Sequence, residues 1–372
     1  MLMKGNEFIQ QFEKKFPLAL AEKGDPVGLH IGTLHKPIQR VMITLDVRPE
    51  VVAEAIAKKV DLLVAKHPPI FRPIDRLVTD DPQIKMYADL LKHDIAVYAA
   101  HTNMDIVEDG LNDWFLEELG IKVTDYLHKT HELDQGLIQV TVPKSHSQVV
   151  RDALAEAGAG KIGNYEQCSY TSVGTGRFTP MSEANPTIGT VHQREEVAEE
   201  KIEMVFPIDT LAELIKALKE SHPYEEPAYQ VIPLMTGKKS YGIGRVGELA
   251  TPMPLEEFVS HVKEVFDLQG LRLIANNTDR LVQRVGICGG SGQKFYPAAL
   301  SKGCDVYITG DVYYHTGHDM LTADLPVIDP GHYIEQLCIP RIVSLCEQWK
   351  EKHHWNIEII PSTVNTNPFS FR

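Results

Sequence analysis

Five residues of this chain have side chains suited to holding a metal ion, and each follows a short apolar run: His67, His101, Asp105, His332 and Glu335. Imidazole together with carboxylate suits zinc, iron, manganese or nickel, whereas carboxylate and water alone suit magnesium or calcium. A carboxylate can also bridge two ions, and a bridged pair clamps and activates water for hydrolysis. His67 lies in DLLVAKHPP, His101 and Asp105 in IAVYAAHTNMD, and His332 and Glu335 in LPVIDPGHYIE. A fourth run, DVYITGD, ends at Asp311, with His315 and His318 shortly after it. Asp311 and His315 are the candidates there for acid/base or supporting roles. Across a turn, His101 and Asp105 can face one site. His332 and Glu335, three apart, share a face if a helix starts at Gly331.

Each residue alone also has an ordinary structural reading. HTNMD fits a capped helix start. His332 fits a first-turn residue, with Glu335 as a capping-box partner. The joint position decides between the readings, because all of them follow strands, and sites in α/β sheets lie at the carboxyl ends of strands. Other signals are weaker. CGGSG, Cys288 to Gly292, is a glycine turn between strand and helix that can present N–H groups to a phosphate or simply be tight. It has neither GxGxxG spacing nor a Walker A lysine. GLHIG, Gly28 to Gly32, can line a pocket. No GxSxG occurs, and no cysteine has a paired base.

The elements that must position these residues alternate. Strand VMITL (41–45), helix 49–59, strand 62–65, helix 82–93, strand 95–99 and helix 110–119 make βαβ units and a mostly parallel sheet. A first helix covers 6–14 and a loop follows through Gly24 to Gly28. The pattern changes near residue 130. Strand 136–142, helix 147–157, strand 165–178, an arm at 184–191, strand 201–206, helix 209–221 and strand 228–234 give the order β-α-β-β-α-β, which is ferredoxin-like. The α/β pattern then resumes with strand RVGIC (284–288), helix 295–302 and strand 305–309. The expected fold class is α/β: two similar βαβ-type halves, 1–130 and 236–372, form one metal-binding domain. An α+β ferredoxin-like domain, 131–235, interrupts it. An internal duplication accounts for the likeness of the halves.

Composition narrows the class of function. At 372 residues the chain exceeds one small core. A net charge of −14 disfavours a general nucleic-acid surface, which is usually basic. No apolar stretch reaches the ~18 residues that span a bilayer, and the amphipathic start MLMKGNEFIQQFEKKF is unlike a signal peptide. Five scattered cysteines point to reduced thiols and a cytoplasmic setting.

In order and separation, DPVGLHIG, DLLVAKHPPIF, AAHTNMD, RVGICGGSG, DVYITGD and DPGHYIE resemble the family of GTP cyclohydrolase I type 2 homologues, also called NGG-interacting-factor-three-like. The resemblance covers 1–130 and 236–372. It implies a dinuclear metal site between two halves and a toroidal homohexamer, as a dimer of trimers or a trimer of dimers, with sites facing a cavity. KIEMVFP and SHPYEEPAYQVIPL resemble a PII/CutA-like domain, in which HPYEEPA is commonly structural, so that His222 and Glu225 are weak candidates for a second metal site. One departure stands out. The family usually has two histidines before the proline, and here the pair is Lys66-His67. A protonated lysine repels a nearby cation. The cofactor expected is a divalent metal, zinc first and iron, manganese or nickel next, with one or two per subunit. Lys66 can instead bind an anionic substrate or balance Asp105 and Glu335.

Two functions follow. In the first, the protein is a metal-dependent hydrolase of GTP or a related heterocycle: Asp105 and Glu335 hold metal, and a nearby His or Asp moves protons. In the second, it is a non-catalytic hexameric scaffold that senses a small molecule or partner through the inserted domain.

Overall fold

The structure is a computed structural model that describes residues 3–163 and 165–372. The chain divides into two compact units, 1–130 with 241–372, and 131–240. Among the described residues fifteen strands are formed, in chain order. The first five are β1 (Gly28–Ile31), β2 (Arg40–Thr44), β3 (Leu62–Ala65), β4 (Ala96–Ala99) and β5 (Lys122–Leu133). Next come β6 (Gln135–Pro143), β7 (Tyr170–Phe178), β8 (Glu195–Pro207) and β9 (Tyr229–Pro233). The last six are β10 (Lys239–Pro254), β11 (Arg272–Ile274), β12 (Leu281–Ile287), β13 (Val306–Ile308), β14 (Val327–Asp329) and β15 (Glu358–Pro361).

The larger unit is mixed α/β with two sheets, ordered β1-β4-β3-β2-β15 and β11-β14-β13-β12-β10-β5. β2, β3 and β4 run parallel, as do β12, β13 and β14. β1 and β11 each add antiparallel at one edge. β15, from the far end of the chain, pairs in parallel with β2, Glu358 opposite Arg40 and Pro361 opposite Ile43. LLVA, AVYA, VYI and VID are buried at every position, as strands covered on both faces must be. Met42, Leu63, Leu90 and Val97 centre the core of the first sheet.

Helix boundaries obey local chemistry. Pro49 opens the helix Pro49–Ala57, where its missing N–H costs nothing. Asp81 caps Pro82–Lys92 by accepting from the Gln83 N–H at 2.8 Å. Cys338–His353 ends in Lys350, Lys352 and His353, cations at the negative helix end. Residues 28–31, read above as pocket-lining loop, are an edge strand, Gly28 facing Ala99 and Leu29 facing Tyr98. No described helix is long and apolar enough to cross a membrane.

The smaller unit carries β6, helix Ser147–Glu156, β7, β8, helix Leu211–Ser221 and β9, in that order. Its sheet runs β7-β8-β6-β9, antiparallel throughout. Ile138, Val140, Ile202 and Phe206 pack with Val150, Leu154, Leu214 and Leu218 from the two helices.

Candidate metal centre

Lys66 follows β3 directly, and His67 and His101 each come one residue further on from β3 and β4. Asp311 follows β13, and His332 follows β14. The carboxyl ends of the parallel strands in both sheets thus deliver one cluster. Among the described residues, His67, His332 and Glu335 form a set whose ligand atoms all lie within 4.8 Å of one another. Glu335 Oε2 is the meeting point, 2.8 Å from His67 Nε2 and 3.5 Å from His332 Nε2. The His67 ring stands edge-on to His332 at 5.1 Å and to His101 at 5.7 Å between centroids.

The turn after Gly331 is 3-10, His332–Leu337, where an α-helical start was expected. Side chains three apart eclipse in a 3-10 helix. His332 and Glu335 therefore superpose more closely than an α-helix would allow.

Each histidine is fixed from behind. Nδ1 of His67 lies 2.7 Å from Asp46 Oδ1, Nδ1 of His101 lies 2.7 Å from Asp25 Oδ1, and Nδ1 of His332 lies 2.7 Å from Asp311 Oδ2. An ionised carboxylate only accepts, so Nδ1–H donates and Nε2 is turned toward the cluster. This pairing of carboxylate with histidine sets the tautomer of metal ligands and raises their basicity. Asp25, Asp46 and Asp311 all have lowered pKa values. Burial works against ionisation of Asp25 and Asp46, and the histidine hydrogen bonds outweigh it; at Asp311 the bond to His332 leads. Asp311 takes a left-handed backbone, φ +55°, which a short polar side chain tolerates.

Burial dominates the electrostatics. Glu335 is 2% exposed, and its pKa is held well below the ordinary value. Burial would raise it, but Lys66 and then His332 and His67 overcome that. His332 moves the opposite way. Burial opposes its charge, and Asp311 and Glu335 still lift it to about 10. His67 is also raised, by Asp46 and Glu335 against burial. The surroundings of both imidazoles thus favour a second proton, and their Nε2 atoms face Glu335, the direction in which a metal would bind.

Lys66 is 1% exposed, with its ammonium 3.1 Å from Asp105 Oδ2 and 3.8 Å from Glu335 Oε2. It is turned inward onto the carboxylates, the charge-balancing alternative, and away from solvent where an anionic substrate would arrive. Burial raises the Asp105 pKa, Lys66 lowers it, and Glu335 adds to the rise; the net direction is up. Asp105 Oδ1 is buried with no hydrogen-bond partner. His101 and Asp105 border the three-residue set without joining it. His315 is exposed on the helix Tyr314–Thr322, and its ring packs against Tyr314 at 5.4 Å rather than against the histidines.

The glycine turn serves the same place. A Cβ on Gly290 (φ +59°) would come within 2.8 Å of Glu335 Oε1 and 3.3 Å of His332 Nε2. Its N–H groups are largely spent: Gly289 donates to Asn112 Oδ1 at 2.9 Å and Gly292 to Thr309 Oγ1 at 2.9 Å. The turn therefore packs against the cluster and does not offer an open phosphate cradle. Asn112, fully buried, also donates to the Asp105 carbonyl at 3.0 Å. Arg245, 1% exposed, pairs with Asp113 and donates to the carbonyls of Gly242, Gly244, Ile106 and Val107, pinning the segment after Asp105. Asp329 fixes the loops on either side, accepting from the Val312 N–H at 3.0 Å and the Gly331 N–H at 2.9 Å.

Asp25, Asp46, Asn112 and Arg245 are absent from the candidate set read above. Asp46 had a signal, since it ends the strand-like run VMITLD as the other site residues end theirs. Asp25 lies in DPVGLHIG. In the smaller unit, both nitrogens of His222 are engaged, Nε2 with the Thr141 carbonyl at 2.9 Å and Nδ1 with the Tyr224 N–H at 3.0 Å. HPYEEP is structural there.

The residues present fit a divalent ion. Two half-buried imidazoles and a buried carboxylate converge, their orientations are set, and a glycine leaves room beside them. This is a mixed α/β protein with a His/Glu metal-type cluster at strand ends. The chain belongs to the Duf34/NIF3 family (NGG1p interacting factor 3), which matches residues 3–368. It is similar to the GTP cyclohydrolase 1 type 2 homolog of Bacillus subtilis, 43% identical, with 99% of each chain covered. Among solved structures it resembles a Bacillus cereus protein related to NIF3, at 40% identity, TM-score 0.89 and full coverage of both chains. It also resembles the Staphylococcus aureus protein SA1388, at 27% identity, TM-score 0.73, with 100% of this chain and 99% of that chain covered.

Proposed function

We propose that this protein is a metal-dependent hydrolase-like enzyme acting on GTP or a related nucleotide or heterocycle. The observation that carries the reading is the convergence of His67 Nε2, His332 Nε2 and Glu335 Oε2, with each ring held from behind by an aspartate. A bound zinc, iron, manganese or nickel ion would supply polarisation of an electrophile and a water made nucleophilic near neutral pH. The chain's own residues do the rest. His67, His332 and Glu335 hold and orient, and Asp46 and Asp311 fix the tautomers. Asp311, which also accepts from the Ser291 hydroxyl at 2.5 Å, is placed to exchange a proton with His332 Nδ1. The nucleotide preference is drawn from the name carried by the relatives, which is a weak warrant for a substrate. The test is GTP turnover by zinc- or manganese-loaded protein, beside Glu335→Gln. Turnover lost in the variant supports the reading; no turnover of any nucleotide tried leaves a metal scaffold.

A second reading, a hexameric scaffold or regulator that senses a small molecule, is favoured by a cleft of about 710 Å³ within 131–240. Val173, Phe178, Ala184 and Ile188 line it beside Glu199, which is 7% exposed and accepts from the Tyr224 hydroxyl at 2.9 Å. A small-molecule site is concave and mostly apolar, with few polar groups. Val173→Trp should fill this cleft and abolish any thermal shift that nucleotides give through it.

The finer architecture belongs to the same proposal. We read 1–130 and 236–372 as duplicated halves, supported by the matching runs β1-β4-β3-β2 and β11-β14-β13-β12, each one antiparallel strand beside three parallel ones. We read 131–235 as a ferredoxin-like, PII/CutA-like insertion, supported by its β-α-β-β-α-β order. A homohexamer is the assembly proposed, to be measured by light scattering in solution. The five cysteines are all free thiols, which supports a cytoplasmic setting.

A further inference from the structure

We propose that the Lys66 ammonium is a built-in cation of this centre, so that the chain binds one exchangeable divalent ion, through His67, His332 and Glu335, and not two. The proposal rests on the metal-centre reading and fixes its stoichiometry.

Lysine is almost never fully buried unless it is paired. Lys66 is 1% exposed, and what it meets is a pair of carboxylates, Asp105 at 3.1 Å and Glu335 at 3.8 Å. One positive centre between two buried acids stands where a bridging ion would stand. Its position is set by the backbone, because the Lys66 N–H donates to the Thr44 carbonyl at 3.1 Å and the His67 N–H to the Leu45 carbonyl at 2.9 Å. These bonds continue the β2–β3 ladder to the root of the side chain. A divalent ion arriving at Asp105 would face a fixed like charge in a buried site, where screening is weak.

Ligand grouping agrees. Among the described residues, His67, His332 and Glu335 are close enough to share an ion, and Asp105 and His101 stand outside that set. Asp105 has given Oδ2 to the ammonium, while Oδ1 keeps no partner. Glu335 Oε2 is shared between the ammonium and the two imidazoles. A single oxygen thus lies between a cation that cannot leave and the two imidazoles that would share an ion with it.

Replacing Lys66 by histidine removes the fixed charge and adds a ligand beside Asp105 and His101. The experiment titrates full-length, metal-stripped protein with Zn²⁺ and counts ions per chain by elemental analysis after desalting. Wild type, Lys66→His and Lys66→Arg are compared. Saturation at one ion in wild type and Lys66→Arg, and at two in Lys66→His, is the expected result. Metal-free Lys66→His should also melt below metal-free wild type and recover on Zn²⁺ addition. Two ions in wild type would overturn the proposal and leave the metal centre standing, as would a folded Lys66→His that stops at one. No ion in any variant would overturn the centre itself. If Lys66→His fails to fold, the wild-type count still decides.

Discussion

The ends of the two sheets in the larger unit present the same kinds of residue and neutralise their acids differently. At the first sheet Asp105 is answered by Lys66, a cation fixed to the chain. At the second, Asp311 is answered by the imidazole of His332, and Glu335 by Lys66 first and then by His332 and by His67 from the first sheet. A lysine charge is permanent under ordinary conditions, whereas an imidazolium proton can be exchanged for a metal. The first arrangement makes part of the centre self-sufficient. The second leaves part of it dependent on what is bound.

The largest effect should come from breaking the first arrangement. Lys66→Met leaves Asp105 and Glu335 buried without their fixed partner. Removing one partner of a buried ion pair costs about 3–5 kcal/mol, which urea denaturation of metal-free protein would register. A loss under 1 kcal/mol would mean that the two carboxylates are not jointly ionised. Next in size is Glu335→Gln, which removes the carboxylate charge common to both histidines and should abolish tight Zn²⁺ binding in calorimetry. Asp311→Asn keeps the shape and loses the charge behind His332. Loss of such a supporting carboxylate typically costs 10–100-fold in metal affinity, and Asp46→Asn should match it at His67.

A smaller effect is a dependence on pH. The pKa of His332 rises from 6.5 to about 10 in the metal-free protein. A raised folded-state value means stability that is full below about 6.5 and fades as pH climbs toward 10. Melting temperature should therefore fall across that window without metal and fall less with Zn²⁺ bound. Equal slopes would show that His332 is not where the ion replaces the proton. The smallest expected effect is that of His315→Ala: metal content unchanged, since the ring is exposed and packs on Tyr314.

The parts of this comparison were unequally legible in the sequence. LLVA, AVYA, VYI and VID are short continuous apolar runs, and such runs in a βαβ order announce buried parallel strands with a site at their carboxyl ends. His67, His332 and Glu335 are candidates from that position taken together with the resemblance of their motifs to a known family. Asp25 and Asp46 did not stand out because their partners lie 76 and 21 residues away in the chain. Nothing local distinguishes a carboxylate that anchors a histidine from one that faces water. The exposure of His315 was equally hidden, because it lies in the first turn of the helix that begins at Tyr314 and only packing decides which face is covered. Arg245 reads as a surface cation until the carbonyls of Ile106 and Val107 are seen to surround it. The 3-10 turn at His332 has the composition of an ordinary helix start.

β15 lies beside β2, although nearly the whole chain separates them. Protein synthesis proceeds at roughly 5–20 residues per second, and roughly 300 residues intervene, so β2 waits roughly 15–60 s for its neighbour. Until then one edge of the first sheet offers unpaired N–H and C=O groups, and such edges recruit other strands. The nascent chain thus spends its most aggregation-prone interval with β2 to β4 already emerged. Glu335 and its ligand partners cannot meet until close to the end of that interval. A truncation that removes only 358–361 should do its damage more than 300 residues upstream, as poor yield and inclusion bodies.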